Sequence, residues 1–106
     1  MKKFRFVATL ALAVSLAGVV GFAQSSGEAI YKTKCAMCHG ATGMAESGAG
    51  KVMKVKPIND PDVKKFTEAQ MIGAVQNGMG KMQPYKDKLT GDQIKSTVVY
   101  FRTFLK

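Results

Sequence analysis

The sequence has no tryptophan, one histidine and two cysteines among its 106 residues. That is too few ligands for a structural zinc site, which takes four. A thioredoxin-like redox pair belongs in a βαβ context, and the chain offers no strand run to build one. It also has no internal repeat and no low-complexity segment. Acidic residues are scarce: 7 Asp+Glu stand against 16 Lys+Arg, a formal charge of +9. A balance of this kind steers encounters with acidic partners. Nucleic acid is the other usual partner of a small basic protein, but no nucleic-acid-binding motif is present.

The two cysteines and the histidine all fall in one run, Cys35-Ala36-Met37-Cys38-His39. This is the C-x-x-C-H pattern of covalent haem attachment. Each thiol can add across one haem vinyl group to form a thioether. Two intervening residues put the sulfurs about one helical turn apart, and the adjacent imidazole can reach the iron from one side.

The first 23 residues read as a secretory leader. Lys2, Lys3 and Arg5 form a positive start, Val7 to Val20 is mostly apolar, and Gly21-Phe22-Ala23 supplies small residues at −3 and −1 of a cleavage site before Gln24. If retained, the same segment would tether the domain to a membrane surface. Export argues further against nucleic acid. Removing the leader leaves residues 24–106, one small domain with 13 Lys+Arg against 7 Asp+Glu, a formal +6. A chain this short buries proportionally little surface and often needs a cofactor. Without tryptophan and rich in glycine and lysine, it is expected to be largely unfolded until haem is attached.

Three helices are expected, with a long irregular stretch between the first two. A serine cap and Glu28 open a helix to about Lys34, and Gly40 ends the motif after it. Between Gly40 and Pro61, Gly43, Gly48, Gly50, Pro57 and Pro61 break any regular pattern. Val52, Met53, Val55 and Ile58 are expected to line the haem there. Thr67-Glu68-Ala69-Gln70 and Thr90-Gly91-Asp92-Gln93 are capping boxes. The first starts a helix through Met71, Ile72 and Val75, closed by Asn77-Gly78. The second starts a C-terminal helix with Ile94, Val98, Phe101 and Leu105 on one stripe.

With these blocks in this order, residues 27–106 resemble the small bacterial class I c-type cytochromes. Three segments carry the likeness: Gly27 to Gly40 around the haem motif, the loop Asn77-Gly78-Met79-Gly80-Lys81-Met82-Gln83-Pro84-Tyr85, and the aromatic helix Thr90 to Leu105. The loop resembles the family's N-G-x-G-x-M-P-x-[FY], with one departure: Gln83 separates the methionine from the proline. The resemblance implies an all-α cytochrome c fold, three or four short helices and long loops around one covalent haem. It also implies a crossing of the first and last helices at Gly27, under Tyr100 or Phe101.

By the same resemblance, Cys35 and Cys38 hold haem c, and His39 and Met82 are the axial iron ligands. Met79 and Met53 are competitors for the sixth position, since an isolated methionine is more often core filler than ligand. With both axial positions filled, the expected function is a soluble periplasmic one-electron carrier cycling between Fe(II) and Fe(III). Its expected partners are redox proteins with acidic docking surfaces, namely a membrane donor complex and a terminal oxidase or reductase. No small-molecule substrate and no enzymatic activity are expected, and the protein is expected to be a monomer. Lys81, Lys86 and Lys88, with Lys32, Lys34, Lys51 and Lys54, are candidates for a docking ring. Three other readings stay open: a small haem enzyme, a gas-binding sensor with labile Met82, and a haem subunit of a larger oxidoreductase complex.

Overall fold

The computed structural model describes residues 26–106; the expected leader, residues 1–23, lies outside the described residues. The described chain is all-α, with a single isolated bridge between Met79 and Met82. Helix α1 covers residues 26–39 and changes character along its length. It is α-helical over 26–30, π-helical over Tyr31–Cys35 and α-helical again over Ala36–His39. The remaining helices are α2 (Gly48–Val52), α3 (Pro61–Lys64), α4 (Glu68–Asn77) and α5 (Gly91–Arg102).

The widened turn in α1 has a local cause. The Thr33 hydroxyl donates to the carbonyls of Ala29, at 3.0 Å, and Ile30, at 3.2 Å. Such back-bonding competes with the regular ladder. The Ala36 amide accordingly bonds five residues back, to Tyr31. A π turn inserts one residue into the helix and re-aims the side chains beyond it. The haem motif therefore lies on a continuation of the helix, where the sequence suggests an end near Lys34. Gly40, at φ 82°, stops it and bonds back to Ala36 at 2.8 Å.

The stretch between residues 40 and 61 is less irregular than expected, because α2 forms inside it. The Ser47 side chain caps α2 by accepting from the Gly50 amide at 3.1 Å and donates to the Met37 carbonyl at 2.5 Å. A β-carbon on buried Gly50 would run into the Cys38 carbonyl, so only glycine lets α2 lie against the haem motif. Past α2, Lys54 takes φ 56° and the Val55 amide bonds to the Gly50 carbonyl at 2.9 Å. That is the left-handed C-terminal position where glycine is usual. Lys54→Gly should therefore raise stability by about 1 kcal/mol, read as a higher denaturant midpoint at unchanged slope.

The two capping boxes are present as expected, Thr67 with Gln70 and Thr90 with Gln93. Gly78, at φ 80°, ends α4. Helices α4 and α5 pack around Met71, Leu89, Ile94 and Val98, with Phe66, Val75 and Tyr85 against them. Arg102 clamps the end of α5 by donating to the Phe66 carbonyl at 3.0 Å. The stripe is cut short: α5 ends at Arg102, which leaves Leu105 beyond its cap at Thr103.

Helices α1 and α5 do cross at Gly27, but one turn earlier on α5 than expected. A β-carbon at Gly27 would meet the backbone of Ser96. Tyr100 and Phe101 instead pack on Tyr31, one turn further along both helices.

Candidate functional site

A cavity of about 920 Å³ opens between α1, the loop after α2, α4 and α5. It sits at the upper end of the ~300–1,000 Å³ range of ligand and cofactor pockets. Its walls are mainly apolar, with Met53, Val55, Phe66, Val75, Val98 and Phe101 among them. Two residues expected there are elsewhere. Val52 is 80% exposed, because it lies on the outer face of α2. Ile58 is fully buried, near Gly43, Phe101 and Phe104.

From α1, Cys35, Cys38 and His39 all reach the cavity. Both cysteines are free thiols and half-buried. Burial pushes the Cys35 thiol up to about 11, Lys34 opposes this, and the nearby Cys38 adds to it. Cys35 is therefore a protonated thiol at neutral pH. Burial also pushes the His39 imidazole below its ordinary value. The ring is thus neutral and keeps a lone pair for a metal. Phe101 flanks it with ring centroids 5.2 Å apart. Its Nδ1 is buried with no hydrogen-bond partner among the described residues.

The loop after α4 brings the methionines. Met79 and Met82 exchange two backbone hydrogen bonds, of 3.1 and 2.9 Å, across Gly80 and Lys81. Gly80, at φ 58°, supplies the positive φ that such a two-residue turn needs at its first central position. Residues paired across a tight turn project to one face, and both side chains line the cavity. Burial separates them: Met82 is half-buried, whereas Met79 is 52% exposed. Met53 also lines the cavity and is half-buried. Met37 and Met44 do not line it and are exposed.

The backbone turns sharply at Gly78, where a β-carbon would sit 2.8 Å from the Met82 carbonyl oxygen. The inserted Gln83 has a structural role. It donates to the Tyr85 hydroxyl at 3.3 Å and accepts from Lys88 at 2.6 Å, while Lys88 lies 5.5 Å over the Tyr85 ring. The Tyr85 amide in turn bonds to Val75 at 2.9 Å, which fastens the loop to α4.

Of the candidate docking lysines, Lys34, Lys54 and Lys81 border the cavity. Lys32 is paired with Glu28 at 2.6 Å, and Lys88 is engaged with Gln83. Lys56, not among the sequence-based candidates, is also at the rim and bonds to Asp62 at 2.8 Å. That pair is exposed and contributes little.

Sequence reasoning takes Tyr31, with Ile30, only as an apolar contact of the first helix, and misses Ser47 and Thr33. Tyr31 stands four residues before Cys35, so the helical repeat is the available signal. Ser47 is legible only as a generic cap.

Two free thiols, a neutral imidazole and cavity-facing thioethers make a donor set that fits a covalently attached haem. No cluster of three or more His, Cys, Asp or Glu offers a competing metal site among the described residues.

Comparison with known proteins agrees. The family model described as cytochrome c oxidase, cbb3-type, subunit III matches residues 22–101. Cytochrome c6 of Leptolyngbya boryana is 32% identical over 76 residues, 72% of this chain and 86% of that protein. Cytochrome c6 of Bryopsis maxima is 29% identical over 79 residues, 70% of this chain and 83% of that one. The solved structure of the KustC0563 c-type cytochrome aligns with a TM-score of 0.68 at 28% identity, over 76% of this chain and 98% of that chain. The chain belongs to the small class I c-type cytochromes: it is an all-α, haem-based electron carrier with covalently bound haem c.

Proposed function

We propose that this protein is a soluble periplasmic one-electron carrier. In this reading residues 1–23 are removed on export, and residues 24–106 form one monomeric cytochrome domain. Cys35 and Cys38 would hold the haem through thioethers, and His39 and Met82 would ligate its iron. The bound haem supplies one-electron chemistry between Fe(II) and Fe(III).

The residues do the rest. His39 stays neutral through burial and presents a lone pair. Met82, more buried than Met79 on the same turn, supplies a soft thioether, which favours the reduced state over bis-nitrogen ligation. The apolar wall of Phe66, Val75 and Val98 keeps water out and disfavours the extra charge of the oxidised centre. With His39 and Met82 both committed, no position is left for a substrate, so the protein is not an enzyme. The lysines at the rim, Lys34, Lys54 and Lys81, steer acidic redox partners to the cavity mouth. Those partners are a membrane donor complex and a terminal oxidase or reductase.

The observation that carries this reading is the convergence of Cys35, Cys38, His39 and Met82 on one apolar cavity. An anaerobic redox titration of the periplasmic fraction, followed by absorbance, tests it. The expected result is one reversible one-electron wave with a methionine–ferric charge-transfer band at neutral pH. Absence of that band, or rapid carbon monoxide binding by the reduced protein, would replace the carrier with an enzyme or a gas sensor.

A further inference from the structure

We propose that Tyr31 is a positioning residue for His39, acting through the Phe101 ring and the Gly40 carbonyl. The inference rests on the reading of His39 as an axial ligand. Tyr31 is 1% exposed, and its hydroxyl donates a buried 2.6 Å hydrogen bond to the Gly40 carbonyl, the residue directly after His39. Helix α1 ends at His39 and Gly40 has left the helical conformation at φ 82°. The Gly40 amide still closes the last helical turn on Ala36, but its carbonyl lies beyond the ladder, and there the phenol's bond is shorter than the 3.4 Å one from the Gly43 amide. The bond spans the π turn, the one part of α1 whose geometry departs from a regular helix.

The second link is through the rings. Phe101 is stacked on Tyr31, with centroids 5.6 Å apart and planes 22° apart. It meets His39 at 5.2 Å and 58°. Tyr100 and Phe104 hold Tyr31 from other sides, at 5.4 and 5.6 Å. The imidazole thus rests against a ring whose own position depends on Tyr31. This matters more here than for a ligand tied through its second nitrogen, because His39 Nδ1 has no hydrogen-bond partner among the described residues. The Ala45 amide holds the His39 carbonyl at 2.8 Å, and the ring packing and the Tyr31 anchor act beside it on the imidazole. Burial keeps the phenol protonated well above its ordinary range, so it remains a donor at any pH the protein meets. A phenylalanine would fill nearly the same space, so the hydroxyl is what this role adds to ordinary core packing.

The test is Tyr31→Phe in the haem-loaded protein, with Ile94→Val as a control at a buried core position. The readouts are the haem methyl proton resonances of the ferric protein, which report the orientation of the axial imidazole, and the midpoint potential. The expected result is a changed methyl pattern and a shifted potential in Tyr31→Phe, with both unchanged in Ile94→Val. A parental pattern and potential in Tyr31→Phe overturns the proposal, and so does an equal change in the control. Should Tyr31→Phe fail to fold, Phe101→Leu keeps the hydroxyl and removes the intervening ring, and a parental methyl pattern there overturns it instead. Failure of the His39 assignment itself is distinguishable, because the parent would then lack hyperfine-shifted imidazole resonances before any substitution.

Discussion

Met82→Ala is expected to keep the haem attached while lowering the midpoint potential and opening the sixth coordination position. In the proposed reading attachment is through Cys35 and Cys38, which the substitution leaves in place on α1. The potential falls because the soft sulfur that favoured the ferrous state is gone. A drop on the order of 0.2 V is expected, within the ~0.8 V over which axial ligands set haem potentials. For a one-electron couple, about 59 mV is a tenfold change, so this corresponds to roughly three decades in the redox equilibrium. Loss of the charge-transfer band and binding of added carbon monoxide should accompany it. The turn at Gly80 makes this experiment discriminating, because Met79 faces the same cavity. An unchanged spectrum in Met82→Ala, lost only on further substitution of Met79 or of Met53, would transfer the ligand role to that residue.

The second large effect concerns folding. The paired variant Cys35→Ser, Cys38→Ser is expected to accumulate as a largely unfolded chain. The cavity of about 920 Å³ is too large for this domain to hold empty. At about 24 cal/mol per Å³, a quarter of that volume already costs about 5 kcal/mol, near the low end of the ~5–15 kcal/mol stability of a domain. Only that fraction is counted because the mouth is open to water. The core around Met71, Leu89, Ile94 and Val98 has little to offset it, with no tryptophan to add. Far-ultraviolet circular dichroism and hydrogen exchange on the variant check this. Native helicity with slow exchange along α4 and α5 would show that the chain folds without its haem.

Legibility in the sequence depends on how local each feature is. The capping boxes at Thr67 and Thr90 involve partners three residues away, so their helices start as read. The Gly40 and Gly78 stops are equally local, as they depend on backbone conformation at one residue. The C-x-x-C-H spacing and its link to haem are also contained in five residues. Features that depend on contacts between distant segments read less well. Helix α2 is hidden by its glycines, yet Gly50 is required because Cys38 lies against it. Val52, Met53, Val55 and Ile58 are alike in type, and only the path of the chain around α2 sends Met53 and Val55 to the cavity and the other two elsewhere. The π turn is hidden too, because Thr33 looks like an ordinary helical threonine until its hydroxyl bonds the preceding carbonyls.

The chemistry is written in the order of residues: two thiols and one imidazole in a single five-residue run, with a methionine-bearing glycine loop in the family order. Covalent spacing sets which groups are available, and spacing belongs to the chain before it folds. Which of those groups meet is a matter of packing. Folding brings the Met79–Met82 turn to the cavity with one sulfur more buried than the other, and it places Phe101 between Tyr31 and His39. Those outcomes depend on contacts between segments tens of residues apart, where geometry, not residue type, selects the partner.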